Sequence, residues 1–154
     1  MKDTSTLSNK WDKRYMGIAR EVSTWSKDPS RQIGAVAVGE KGQILAQGYN
    51  GFPRGIKDSD ERYSDREKKY KYVVHAEMNC IYNASWNGVS LNNSIFYVYG
   101  LPVCSECAKG LIQVGVKKVV VQVPNQISIP INWLKHEKIT KELFREAGIE
   151  YAKL

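Results

Sequence analysis

Apolar residues recur at Trp11, Tyr15, Ile18, Ala19, Val22 and Trp25 with charged residues between them, the spacing of an amphipathic helix. Ser26-Lys27-Asp28-Pro29-Ser30 breaks that pattern. Ile33 to Val38 and Gln43 to Ala46, around Glu40-Lys41-Gly42, read as two strands of a hairpin. Tyr49 to Gly55 is a dense cluster of turn residues, and Lys57 to Lys71 is a charged run of both signs with no apolar period, so the two together predict one long surface loop. A loop of that length in a small protein is often a lid or a binding element. Further on, His75 to Ala84 predicts a buried helix stopped by Gly88, Ser94 to Tyr99 a strand, and Cys104 to Val114 a second buried helix ending at Gly115. Lys117 to Gln122 is a valine-rich strand, Lys138 to Ala147 a last helix stopped by Gly148, and Ile149 to Ala152 a final strand. Strands and helices that alternate in this way form parallel β-α-β units with helices covering the sheet.

The 154 residues leave room for a single domain spanning 1–154. No run of about 18 apolar residues occurs, and Met1 to Lys10 is polar, so neither a membrane span nor a secretory leader is expected. The expected location is the cytoplasm. A net charge of +7 favours an anionic partner such as a nucleotide or a phosphorylated metabolite. Lys27, Arg31 and Arg54 are the candidate phosphate contacts. Three cysteines cannot form an even-numbered disulfide framework, and Cys104-x-x-Cys107 reads as a metal or redox pair.

Candidate chemistry concentrates in His75-Ala76-Glu77 and Pro102-Val103-Cys104-Ser105-Glu106-Cys107, each at the start of a predicted helix. Residues i and i+3 share a helix face, so Cys104 and Cys107 can aim both sulfurs at one point. Helix N-termini favour thiolates, and His75 completes a set of three N/S ligands. Three protein ligands are the pattern of a catalytic zinc, whose fourth position is left to water. Glu77, two residues after the histidine, stands where it can move protons as general base and acid. A His-x-Glu and Pro-Cys-x-x-Cys pair is the signature of zinc nucleobase deaminases, here with Val103 between the proline and the first cysteine. Cys80 is expected in the core and His136 at the surface or as a cap. If either filled the fourth position, the zinc would be structural.

At these residues the chain resembles the cytidine and deoxycytidylate deaminase superfamily, and within it the deoxycytidylate (dCMP) deaminases. The resemblance runs through Ser26 to Ala35, Gly48 to Gly55, Lys69 to Asn79 and Cys104 to Ala108. The Gly-Tyr-Asn-Gly-x-Pro-x-Gly loop and the Ser-Lys-Asp-Pro segment are what point to dCMP. The resemblance implies a three-layer α/β/α sandwich around a mixed five-stranded sheet, with zinc between two helix N-termini. It implies a zinc-activated water attacking C4 of cytosine while Glu77 protonates N3 and helps ammonia leave, so that dCMP becomes dUMP, the precursor for thymidylate synthesis. Asn50, the backbone N–H of Ala76 and Arg54 would bind substrate, and Lys27, Gly48, Tyr49, Asn50 and Gly51 an effector. Further implications are a homohexamer, activation by dCTP, inhibition by dTTP, and Mg²⁺ accompanying the nucleoside triphosphate. Two positions depart from the usual pattern. Cys80 stands where a small residue is common, and Val103 stands where many members have proline, which leaves the backbone before Cys104 less restricted.

Two other classes remain open at this point. One is a zinc deaminase acting on cytidine, a modified pyrimidine nucleotide or adenosine in tRNA. The other is a nucleic-acid-binding module with a structural zinc, which requires four protein ligands. The mixed sign of the long loop argues against RNA, so nucleic acid is not an expected partner.

Overall fold

The computed structural model describes residues 4–125 and 128–154, with side chains from residue 9 onward. Of the polar Met1 to Lys10 stretch, residues 1–3 therefore lie outside the description. The order of elements is α1 (Thr4–Ser23), β1 (Gly34–Val38), β2 (Ile44–Tyr49), α2 (Asp60–Ser64), α3 (Arg66–Tyr72), α4 (Ala76–Trp86), β3 (Ile95–Tyr99), α5 (Ser105–Gln113), β4 (Lys118–Gln122), α6 (Ile131–Ala147) and β5 (Glu150–Lys153). Five strands form one sheet in the order β2-β1-β3-β4-β5. The pairs β1–β2 and β1–β3 are antiparallel, whereas β3–β4 and β4–β5 are parallel, so the sheet is mixed as the resemblance implied.

Period-two alternation divides the strands between two helix layers. Val36, Val38, Tyr97 and Val120 pack with Met16, Ala19 and Val22 of α1 on one face. Ala35, Ala37, Phe96, Val98, Val119 and Val121 face α4, α5 and α6 on the other, together with Leu111 and Phe144. The small residues facing α4 have a steric reason. A Cβ on Gly48 of β2 would run into the backbone of Ala76 and Cys80, so strand and helix touch main chain to main chain. Cys80 is fully buried there, as expected of a core residue.

Three expectations need correction. The seam of α1 runs along Met16, Ala19 and Val22, while Trp11 and Trp25 are 49% exposed and Ile18 also faces solvent. The tryptophans pack laterally on the surface instead: Trp11 stacks on Tyr15 at 5.8 Å, and Trp25, beyond the helix end, meets Tyr49 edge-on at 6.1 Å. The Lys57 to Lys71 loop holds two short helices. Ser59 caps α2 by accepting from Arg62 N, and Asp65 closes α2 while capping α3 by accepting from Lys68 N. Neither helix has an apolar period because Tyr63, stacked on Phe52 at 4.2 Å, is the one side chain they bury. Finally, α6 begins at Ile131 directly after Pro130, two turns earlier than predicted. Among the described residues no helix is long and apolar enough to cross a membrane.

Candidate metal centre

His75 and Cys104 occupy equivalent places, each the extended N-cap residue of its helix, α4 and α5. Cys107 lies in the first turn of α5, and its N–H donates to Cys104 Sγ at 3.4 Å. His75 Nδ1 lies 3.3 Å from Cys104 Sγ and 3.4 Å from Cys107 Sγ. Tetrahedral zinc with ordinary Zn–N and Zn–S bonds separates such ligand atoms by about 3.5 Å, so the donor set and its spacing both fit that ion. Among the described residues this trio is the one group gathered to hold a metal, and neither Cys80 nor His136 joins it. Among the described residues the site thus lacks the fourth protein ligand that a closed structural zinc requires.

The electrostatics follow from burial and mutual contact. Cys104 is pulled well below the usual thiol range because the Cys107 thiol donates to it and His75 lies beside it. Cys107 moves up, since the same hydrogen bond favours its protonated form and burial adds to that. His75 moves up through its bond to Cys104. Glu77 is buried, and desolvation reinforced by the Cys104 charge pushes its carboxyl up to about 7. A buried carboxyl poised near neutrality, within the field of Cys104 and His75, can both accept and return a proton.

A loop runs directly beside this centre. Gly51 and Val74 exchange backbone bonds of 3.1 and 2.8 Å, which brings Asn50-Gly51 alongside the residue preceding His75. Asn79 of α4 donates to Tyr49 O at 2.7 Å and fixes the same turn. The Asn50 side chain is buried. Its Oδ1 accepts from Ile33 N at 2.9 Å, and its Nδ2 donates to Arg31 O at 2.8 Å and Asp28 Oδ2 at 3.4 Å. Asp28 accepts in turn from Ser30 N and from Lys69 Nζ, both at 2.8 Å. Lys69 of α3 is therefore part of the loop's scaffold, a role that its place in a charged run did not reveal.

The remaining candidates are dispersed. Ala76 is fully buried in the first turn of α4, where backbone N–H groups have no partner within the helix. Lys27 is exposed and pairs with Asp58 at 3.3 Å. Arg31 donates to Ser128 O at 2.9 Å. Arg54 donates to Asn83 Oδ1 at 2.5 Å and stands over the Trp86 ring, towards the opposite end of α4 and about 12 to 16 Å along the helix from His75. Gly48 is pressed against α4, while Tyr49 is exposed beside Trp25. Two further residues flank the centre: the Trp133 ring lies 5.7 Å from that of His75, and His136, exposed as expected, meets Ser105 Oγ at 2.9 Å. Trp133 carried no motif, and its only sequence signal was an aromatic just after Pro130.

Residues 9–123 match the family model described as the cytidine and deoxycytidylate deaminase zinc-binding region. The chain belongs to that family. It is 36% identical to an uncharacterized deaminase in the luxG 3' region of Aliivibrio fischeri, over 94% of this chain and 93% of that one. It is 34% identical to a deoxycytidylate deaminase of Mus musculus, over 93% and 79% of the respective chains. In three dimensions it resembles the apo dCMP deaminase of cyanophage S-TIM5, with a TM-score of 0.72 over the whole of both chains at 24% identity, a likeness of fold. The deaminase is accordingly an enzyme that hydrolyses a C–N bond, in a zinc-binding family, with His75, Cys104 and Cys107 gathered where they could hold a metal.

Proposed function

We propose that this deaminase converts dCMP and water to dUMP and ammonia. The observation that carries the reading is the conjunction of three metal ligands at two helix starts, a buried Glu77 beside them, and the Asn50-Gly51 loop bridged to Val74. Relatives named as deoxycytidylate deaminases support dCMP over other cytosine compounds.

Zinc bound by His75, Cys104 and Cys107 would supply a Lewis acid with one open position, which makes water nucleophilic near neutral pH. Glu77 takes a proton from the attacking water and delivers it to N3 as the C4–O bond forms. It then passes a second proton to N4, and ammonia leaves. The Ala76 N–H, an orphan of the first turn, holds the base carbonyl, and the Asn50-Gly51 turn contacts the nucleotide. With its carboxyl near 7, Glu77 is matched to both halves of that transfer. Regulation follows the same reading. dCTP activates and dTTP inhibits through Lys27, Gly48, Tyr49, Asn50 and Gly51, with Mg²⁺ accompanying the triphosphate, in a cytoplasmic homohexamer that supplies dUMP for dTTP synthesis.

An ultraviolet assay of zinc-loaded protein on dCMP, cytidine and dCTP, with and without dCTP or dTTP as effector, tests this directly. Turnover of dCMP raised by dCTP and lowered by dTTP is the expected result, and absence of turnover on every cytosine compound would overturn the substrate. Glu77→Gln should retain zinc and lose on the order of 10²–10⁴ in kcat. Sedimentation of a monomer at micromolar concentration would discard the hexamer.

A further inference from the structure

The two residues before Cys104 are gripped from the far end of the chain. Trp133 Nε1 donates to Pro102 O at 2.6 Å, Thr140 Oγ1 donates to Val103 O at 2.8 Å, and the Tyr151 hydroxyl accepts from Val103 N at 3.2 Å. Val103 and Thr140 are fully buried, so each of these main-chain groups has a side chain where water is excluded. The donor N–H exists only because residue 103 is not proline. The gripping elements are themselves joined: Lys153 Nζ of β5 lies 2.8 Å from Glu137 Oε1 of α6, and the Phe144 and Tyr151 rings stand 5.4 Å apart. Burial keeps the Tyr151 phenol neutral.

Cys104 enters α5 in an extended conformation, so the orientation of the peptide before it sets where its sulfur points. We propose that Trp133, Thr140 and Tyr151 are positioning residues that clamp the Pro102-Val103 backbone and thereby aim Cys104 Sγ at the metal. In this chain the hydrogen bond from Val103 to Tyr151 replaces the restriction that a proline ring at position 103 would impose. The inference rests on the zinc reading of the three ligands.

The test is a double-mutant cycle read out as metal retention. Metal-loaded wild type, Tyr151→Phe, Val103→Pro and the double variant are mixed with a chromogenic chelator, and the rate of zinc release is followed. The sulfur-to-cobalt absorption of Co²⁺-loaded samples reports ligand geometry in parallel. Tyr151→Phe should speed release about 3- to 10-fold, the worth of one buried hydrogen bond, and shift the cobalt band. In the Val103→Pro background the same change should do nothing, because the N–H is gone. Thr140→Val should also speed release, which tests the clamp without requiring the proline variant to fold. Val36→Ala, in the core on the α1 face, should lower thermal stability and leave release unchanged. The clamp is overturned if Tyr151→Phe releases zinc at the wild-type rate, if its effect survives in the proline background, or if Val36→Ala speeds release equally. If the wild type takes up no metal at all, the zinc reading itself fails.

Discussion

His75 and Cys104, 29 residues apart, are brought together by two helix starts, and Cys107 follows Cys104 in the first turn of the same helix. The Asn50 turn beside them is held by Asp28, Arg31, Ile33 and Lys69, partners that lie 17 to 41 residues from the groups they bind. One region sits on two helix starts and ligates through sulfur and imidazole. The other is a network of buried hydrogen bonds around one ion pair. The contrast teaches that the chemistry and the pocket that presents it answer to different perturbations, even though they meet at Gly51 and Val74.

Removing a ligand should separate them most sharply. Cys107→Ser is expected to reduce metal content from one ion per chain to near zero and activity to background, while the melting of the Asp28–Asn50–Lys69 network, followed by amide exchange, stays as in metal-free wild type. Chelator treatment of the wild type should do the same reversibly, with activity restored by zinc. The converse variant is Lys69→Met, which leaves Asp28 buried without its cation. It should cost about 3 kcal/mol, roughly a 10 °C fall in Tm, and raise KM while metal analysis still finds one ion per chain. Metal loss in that variant would erase the distinction between the two regions.

The metal centre was readable in the sequence because each of its two halves is a short motif at a helix start. His-x-Glu and Cys-x-x-Cys state their geometry within four residues, and Gly88, Gly115 and Gly148 mark helix ends that the structure keeps close by. The Asn50 network was not readable. Nothing in Lys57 to Lys71 shows that Lys69 alone among its basic neighbours turns inward, because that choice depends on Asp28, 41 residues away. Nor do the caps at Ser59 and Asp65 stand out in a run with no apolar period, although both side chains cap helix N-termini. Arg54 illustrates the reverse error of reach: its motif lies beside the centre, but its guanidinium goes to the far end of α4.

A smaller effect sharpens the metal-centre side. In metal-free protein the Cys104 thiolate is stabilised by the Cys107 donor and by His75, which takes its folded pKa down to about 4, below the ordinary thiol value of about 8.5. A group depressed in the folded state stabilises the fold above its unfolded pKa, and that contribution is lost as pH falls through the folded value. Absorbance at 240 nm should therefore show one thiolate per chain at pH 8 and still at pH 5, vanishing near 4. Cys107→Ala, which deletes the donor, should move that transition towards neutrality.

The antiparallel seam between β1 and β3 has a consequence for how the protein is made. β1 and β2 form a hairpin that can close as soon as it leaves the ribosome, yet the other edge of β1 pairs with Ile95 to Tyr99. About 55 residues separate these partners, so at typical synthesis rates the inner edge of β1 waits several seconds for β3. During that interval Ala35 and Ala37 have α4 as their earliest available cover. Until the second half of the protein emerges, the nascent hairpin is an open template for strand pairing with other chains, and chaperone capture would matter most at that stage.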